Sequence, residues 1–212
     1  MLRFGFVITG LVAAVCLASC AKRTSPARTA SPGNVPTMTN YDYLACDGGP
    51  HLVIPEALSS RWKGVALGDP LDPSSDYGRS CAAAMNQRMA LLTVGDGQAI
   101  VLRDPPLSAW GQSPEKWVDI YCLEHWSSED ADALIGRALA AAPTSVMRDT
   151  GKAMKLEEPG LILLYAGDVP GEAVYDEHHI PIDAGSYRIL EGHYRVAGKE
   201  EVYIYRLRPT KD

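Results

Sequence analysis

The first twenty residues set the conditions under which the rest of this chain folds. One positive charge, Arg3, precedes an apolar run from Phe4 to Leu17. A charged start followed by a short apolar run is typical of a secretory signal peptide, whereas a membrane-spanning helix needs about 20 apolar residues. We therefore predict that residues 1–19 are a signal peptide and that the remaining chain folds outside the cytoplasm.

The end of the apolar run predicts a lipid anchor. Leu17-Ala18-Ser19-Cys20 resembles the lipobox of bacterial lipoproteins, which implies that Cys20 receives a diacylglycerol before cleavage. Long acyl chains such as palmitate hold a protein at a membrane firmly, because each buried CH₂ contributes about 0.8 kcal/mol. Since Ala21 rather than aspartate follows, the pattern favours the periplasmic side of the outer membrane if the cell is Gram-negative. The alternative is an ordinary secreted protein.

Residues 20–40 are predicted to be the lipidated cysteine and a disordered tether. Residues 21–40 carry three basic side chains, three prolines and no acidic side chain. Such a segment has too few large apolar groups to offset the entropy of ordering it. The remaining residues, 41–212, are long enough for a single domain with its own core.

The charge of the predicted domain excludes one class of ligand. The whole chain has 20 basic and 26 acidic residues, a net charge of −6. Removing the four basic residues of the first forty, Arg3, Lys22, Arg23 and Arg28, leaves 16 against 26, or −10. This balance argues against nucleic acid, whose phosphates need a basic face. It suits a partner that is basic at its contact surface, although acidity for solubility alone explains it equally well.

Three cysteines remain in the predicted domain, Cys46, Cys81 and Cys122. Outside the cytoplasm two of them could pair, and Cys46 with Cys81 is then the favoured disulfide because both flank the same motif block. Free buried thiols are an equally good interpretation. Cys122 shares a strand face with Val118 and Ile120, which predicts a buried free thiol.

The hydrophobic pattern of residues 41–212 predicts an α+β fold that is dominated by strands in a mostly antiparallel sheet. Residues 90–94 and 98–102 flank Gly95-Asp96-Gly97, which favours a β-hairpin. Further strands are predicted at 51–54, 117–123, 161–165, 185–190 and 202–207. One clear helix is expected at about 128–141, because serines and acids at 127–130 are good helix starters and an apolar stripe follows.

The chain shows none of the common catalytic motifs. GxSxG, HExxH, the P-loop and GxGxxG are all absent from the sequence. Asp176-Glu177-His178-His179 has metal-binding residue types, but adjacent histidines on a strand point to opposite faces, so an exposed polar loop is preferred. We therefore predict a protein that is not an enzyme and that has no cofactor and no metal.

Four acidic residues mark a candidate contact for a protein partner. Asp168, Glu172, Asp176 and Glu177 lie within ten residues that contain no lysine or arginine. Proline and glycine in the same stretch predict an exposed loop, and loops on a rigid sheet often carry recognition residues. The alternative is a solvated connection without any partner.

A series of motifs resembles one known family. The motifs are Gly48-Gly49-Pro50, Trp62-Lys63-Gly64, Asp76-Tyr77, Cys81, VGDGQAIVL at 94–102, Asp104-Pro105 and Ala184-Gly185-Ser186-Tyr187-Arg188. Their order and spacing resemble the immunity protein 21 (Imm21) family, the antidotes of polymorphic toxins. The resemblance covers roughly residues 46–207 and is strongest over 48–104.

The resemblance implies a cognate toxin protein as the partner. The motif residues Gly48, Gly49, Pro50, Trp62, Gly64, Asp76, Tyr77 and Cys81 are expected to maintain the fold more than to contact the toxin. Members of the family are mostly cytoplasmic, so the predicted lipoprotein signal sets this chain apart and points to a toxin that acts in the cell envelope. The alternative function is an envelope lipoprotein that acts as a scaffold or binds a small ligand.

Overall fold

The computed structural model describes residues 41–46, 48–65, 72–113, 115, 117–124, 131–141, 147–195 and 201–210. The predicted signal peptide, Cys20 and the predicted tether lie outside these residues. All described residues belong to one unit, which spans 37–212.

The strands of the described residues form two antiparallel sheets. The strands of the first sheet are β1 at Leu44–Ala45, β5 at Leu107–Gln112, β6 at Val118–Leu123, β7 at Arg148–Leu156, β10 at Gly185–Arg195 and β11 at Glu201–Pro209. Their order across the sheet is β1-β5-β6-β11-β10-β7. The second sheet has the order β3-β4-β2-β8-β9, with β3 at Met89–Val94, β4 at Gly97–Leu102, β2 at His51–Pro55, β8 at Leu161–Tyr165 and β9 at His178–Ile180. The predicted strand-dominated, antiparallel α+β class is confirmed, with two sheets in place of one.

The two sheets stack face to face, and a helix covers the outer face of each. The largest core cluster joins Val53, Ile100 and Leu163 of the second sheet to Ile120 and Tyr205 of the first. A second cluster covers the outer face of the second sheet, and a third covers the outer face of the first. The central strands are therefore covered on both faces, which explains why they read as continuous apolar runs.

The hairpin of β3 and β4 agrees with its sequence signal. Val94 pairs with Gly97 across a turn of two residues, and Gly95 takes a φ of 59° that glycine adopts without strain. The predicted strands at 51–54, 117–123, 161–165, 185–190 and 202–207 are also present with small differences in their ends. The hydrophobic pattern was sufficient for these strands because each lies in a buried part of a sheet.

Two α-helices occur in the described residues, α1 at Asp76–Ala84 and α2 at Ala131–Ala141. Helix α2 lies within the predicted range of about 128–141, and its predicted caps at 127–130 lie outside the described residues. Helix α1 was not predicted, because it is short, contains Gly78 and has no apolar stripe. Its N-terminus is capped by the Ser75 hydroxyl, which accepts a hydrogen bond from the Gly78 amide at 2.9 Å. None of the helices among the described residues has the length and apolarity needed to cross a membrane.

Candidate functional site

Several residues that carry the family resemblance, from 49–50, 62–64 and 76–77, converge on one turn, Tyr165–Asp168, where β8 ends. The Pro50 carbonyl accepts a hydrogen bond from the Ala166 amide at 3.0 Å. The Trp62 indole is fully buried, and its N–H donates to the Ala166 carbonyl at 3.0 Å. The Val65 amide donates to the Gly167 carbonyl at 3.0 Å. Segments far apart in the sequence therefore hold the same two residues of backbone, Ala166 and Gly167.

Two motif glycines are required by close approaches at this turn. Gly64 has a φ of 59°, and a Cβ there would lie 2.3 Å from the Gly167 carbonyl oxygen. Gly49 has a φ of 102°, and its Cβ would lie 2.7 Å from the Tyr77 hydroxyl. Both positions combine a left-handed backbone with no room for a side chain, so only glycine fits without movement of the neighbours. Gly48 also has positive φ, but nothing lies within 4 Å of its Cβ position.

The start of helix α1 completes this cluster. The Asp76 carboxylate accepts from the Lys63 amide at 2.7 Å, and the Tyr77 amide donates to the Gly64 carbonyl at 3.1 Å. The Tyr165 hydroxyl donates to the Tyr77 hydroxyl at 3.1 Å. Burial raises the pKa of Tyr77 to about 12 and also raises the pKa of the half-buried Cys81, which hydrogen-bonds Tyr77. We call these residues, 49–50, 62–65, 76–77 and 165–168 with Cys81, the motif cluster.

A chain of buried polar side chains crosses between the sheets next to the motif cluster. The Cys46 sulfur lies 3.0 Å from Nε2 of His51, and Nδ1 of His51 lies 2.8 Å from the Ser108 hydroxyl. That hydroxyl donates to the Cys122 sulfur at 3.9 Å. Burial lowers the pKa of His51 to about 3, so its ring is neutral at physiological pH. A cysteine beside a histidine has the residue types of a nucleophile and base, but Cys46 is only 2 % exposed and His51 is fully buried. The chain of contacts therefore acts as an internal bridge.

None of the three described cysteines forms a disulfide. The sequence favoured a disulfide between Cys46 and Cys81 if any two cysteines pair. That disulfide is not formed in this structure, and Cys46 contacts His51 instead. The prediction of a buried free thiol at Cys122 is confirmed, since the side chain is 6 % exposed in the core with Val118 and Ile120.

The acidic loop, residues 166–177, starts at the motif cluster and is more ordered than its composition suggests. Asp168 is only 8 % exposed, and its carboxylate accepts hydrogen bonds from the Tyr175 amide at 3.1 Å and from the Val174 amide. Burial raises the pKa of this carboxyl. The Tyr175 ring packs edge to face on Tyr165 at 5.1 Å. The expected exposure of Asp168 is thus corrected, because its carboxylate faces the loop backbone and not the solvent.

The outer surface of the acidic loop includes three exposed side chains that alternate along the chain. Glu172, Val174 and Asp176 are exposed, whereas Ala173, Tyr175 and Glu177 between and after them are partly covered. Val174 is 79 % exposed and is one of two large hydrophobic side chains, with Met85, that are exposed to solvent among the described residues. The sequence indicated the charges of this loop, but only the fold shows that an apolar side chain stands between two of them.

The last acid of the loop leads to the edge strand β9. The Glu177 carboxylate accepts from the Gly171 amide at 2.9 Å and lies 3.4 Å from Nε2 of His179. Nδ1 of His179 lies 2.8 Å from the Glu56 carboxylate. The Glu56 carboxylate raises the pKa of His179 most, and the Glu177 carboxylate raises it further. The histidine pair was predicted in a loop and instead begins β9. The residues alternate across it as expected for a strand, with His179 exposed and His178 partly covered.

A cleft of about 590 Å³ opens beside His179, between the ends of the two sheets. Its lining combines carboxylates, aromatic rings and prolines: Glu56, Gln112, Trp117, Val118, Pro159, Gly160, His179, Ile180, Pro181, Ile182, Asp183, Tyr187 and Pro209. This cleft has no local signature in the sequence, since its lining comes from seven separate segments. Across the described residues, no three His, Cys, Asp or Glu side chains are grouped as ligands for one metal ion.

Comparison with known proteins gives one finding. The family model described as Immunity protein 21 matches residues 42–200, about three quarters of the chain. The searches of curated proteins and of solved structures found no significant match.

Proposed function

The chain belongs to the immunity protein 21 family, and from this premise we propose that it is a lipid-anchored antidote that binds and neutralises a cognate toxin acting in the cell envelope. The acidic loop is the structural feature that supports this proposal, as the surface that would contact the toxin. Its base is held by the motif cluster, and its outer surface presents Val174 between the carboxylates of Glu172 and Asp176.

This arrangement suits tight binding to a protein. A loop that is ordered before binding loses little entropy on binding, so more of its contact energy appears as affinity. An apolar side chain supplies a buried anchor, while flanking carboxylates steer a basic partner and exclude the wrong ones. Neutralising a toxin needs about 800 Å² of complementary surface on each partner and no catalytic residue. The excess of acidic residues in the whole chain is consistent with a toxin that is basic at its contact surface.

The proposed site of action follows from the N-terminal sequence. An anchor at Cys20 would hold the antidote on the periplasmic side of a membrane, at the outer membrane if the cell is Gram-negative. Only a toxin that acts in that compartment would meet it there. A peptidoglycan-degrading enzyme or a membrane-acting toxin is therefore the expected target.

A second candidate function is supported by the cleft. Its volume of about 590 Å³ falls within the range of small-ligand sites, so an envelope lipoprotein that binds a small ligand is the alternative. The two functions differ in their partner. A toxin antidote retains a secreted toxin from envelope extracts and protects cells against it, whereas a ligand-binding module retains no toxin and gives no protection.

The proposal is tested by a purification from the envelope and a protection assay. The tagged protein should retain a single toxin, and its expression should rescue cells exposed to that toxin. The Cys20→Ala variant should lose labelling by a radioactive or clickable fatty acid and lose protection, because the domain no longer stays at the membrane. Continued labelling and membrane retention of Cys20→Ala would refute the anchor. Failure to rescue cells from any retained protein would refute the antidote function.

A further inference from the structure

The cleft between the sheet ends has the charge of a site for a cation. Glu56 and Asp183 are the acidic residues of its lining, and the lining contains no lysine or arginine among the residues described. Its one basic side chain is His179, which already contacts Glu56. A third carboxylate, Glu177, lies on the far side of His179, so the acidic loop and the cleft form one continuous acidic surface.

The walls of the cleft suit a flat cation. Trp117 and Tyr187 both line the cleft, Trp117 is the more exposed of the two, and the face of an aromatic ring attracts cations. The Tyr187 hydroxyl is held by a hydrogen bond to the Asp183 carbonyl at 2.7 Å. The Arg206 guanidinium lies 5.7 Å from the Trp117 ring centre and is itself paired with the buried Asp119. Each ring therefore has a partner within the protein before anything binds.

One glycine seats the Glu56 carboxylate in the cleft. Gly160 has a φ of 100°, and a Cβ there would lie 2.7 Å from the carboxyl carbon of Glu56. The Glu56 amide also donates to the Gly160 carbonyl at 3.1 Å, and the Gly160 amide donates to the Ile182 carbonyl at 2.9 Å. The carboxylate thus sits on the Gly160 backbone in a position that a side chain would block.

We propose that this cleft receives an arginine side chain of the toxin, with its guanidinium between the Glu56 and Asp183 carboxylates and against the Trp117 ring. Arginine fits better than lysine, because a planar guanidinium both stacks on an aromatic ring and pairs with carboxylates through several N–H groups. The identity of the partner rests on the proposed antidote function, whereas the binding of a guanidinium by the cleft does not.

The charge of His179 sets how this site responds to pH. The groups that face His179 are Glu56 from the turn after β2 and Glu177 from the acidic loop, and both favour its protonated form. Protonated His179 competes with an incoming cation for the Glu56 carboxylate. As the pH rises through the pKa of His179, that competing charge is lost, so binding of arginine strengthens.

The test uses a small probe for the toxin side chain. The full chain, labelled with ¹⁵N-tryptophan in nonionic detergent, is titrated with N-acetyl-arginine methylamide and with the neutral isostere N-acetyl-citrulline methylamide. The Trp117 indole resonance, assigned with Trp117→Phe, should shift and saturate in the millimolar range with arginine only. The double variant Glu56→Gln/Asp183→Asn should bind N-acetyl-arginine methylamide at least fivefold more weakly. The unmodified protein should bind it about threefold more tightly at pH 8 than at pH 6. A matched double variant of exposed acids elsewhere, Asp96→Asn/Glu157→Gln, should leave it unchanged.

Equal shifts with arginine and citrulline, or equal affinity in the cleft variant and the matched control, would overturn the proposal. The same two variants, tested against the purified toxin, separate this inference from the antidote function. Unchanged toxin affinity in the cleft variant would refute the inference and leave the antidote function standing. Specific arginine binding by a protein that retains no toxin would support the cation site and refute the antidote function.

Discussion

The motif cluster and the acidic loop are adjacent in the fold but are built in opposite ways. The motif cluster is buried, and its glycines, Gly49 and Gly64, leave no space for one additional carbon atom. The acidic loop starts within this cluster, at Ala166, and exposes Glu172, Val174 and Asp176 to solvent. The difference teaches that the motif residues of the cluster maintain the fold, while the loop that they hold exposes the charged and apolar side chains that we propose as the toxin contact.

The largest effect should come from filling the tightest contact of the motif cluster. Gly64→Ala adds a Cβ 2.3 Å from the Gly167 carbonyl oxygen, so the free energy of unfolding should fall by about 3–5 kcal/mol. Gly171→Ala in the acidic loop is the matched control, because its φ of 80° is similar but nothing lies within 4 Å. Gly171→Ala should lower the free energy of unfolding by only about 1–2 kcal/mol. Equal losses in urea unfolding would show that steric contact does not distinguish the two regions.

The buried bridge beside the motif cluster should make the fold sensitive to acid. The pKa of His51 is about 3 in the folded protein and about 6.5 when unfolded, so its contribution is complete above pH 6.5 and is lost as the pH falls toward 3. Between pH 7 and pH 4 the loss from this residue should be about 3 kcal/mol.

Urea unfolding at several pH values checks this contribution. The His51→Gln variant should show a shallower dependence on pH, whereas Ser108→Ala removes the hydrogen-bonding partner but leaves His51 to titrate and should keep a steep slope. An identical slope in His51→Gln and the unmodified protein would mean that His51 is not held neutral by burial.

The two ends of the acidic loop provide a smaller test within one segment. Asp168→Ala removes the acceptor for the Val174 and Tyr175 amides and should lower the free energy of unfolding by about 2 kcal/mol. Asp176→Ala removes an exposed carboxylate and should change stability by less than about 0.5 kcal/mol. Thermal unfolding measures both variants, and similar losses of stability would contradict the assignment of a structural role to Asp168 and not to Asp176.

Sequence reasoning was most successful where burial and pattern coincide. Strands β2 and β8 and the β3–β4 hairpin are continuous apolar runs with clear ends, and Cys122 lies on the apolar face of its strand. Helix α1 was missed because its stability comes from a serine cap and from packing against β3, neither of which produces an apolar period. The burial of Asp168 was missed because its hydrogen-bonding partners are backbone amides, which no residue type in the sequence reveals.

The candidate site was only partly accessible to prediction for a related reason. A run of acids is visible in the sequence, so the acidic loop was found, although one of its four acids points inward. The cleft has no local signature, because Glu56, Trp117, Asp183 and Tyr187 come from distant segments that only the stacking of the two sheets brings together.

The central claim is that the two exposed acids of the loop, Glu172 and Asp176, contact the toxin and contribute little to stability. The most direct measurement is the association rate of purified toxin with Glu172→Lys/Asp176→Lys, compared with Asp96→Lys/Glu157→Lys, which makes the same change in net charge at exposed sites elsewhere. Both variants should keep the unfolding temperature of the unmodified protein. The loop variant should associate about tenfold more slowly at low salt, with a difference that shrinks as salt screens the charges, and the control should change much less. Equal rates for the two variants would contradict the account.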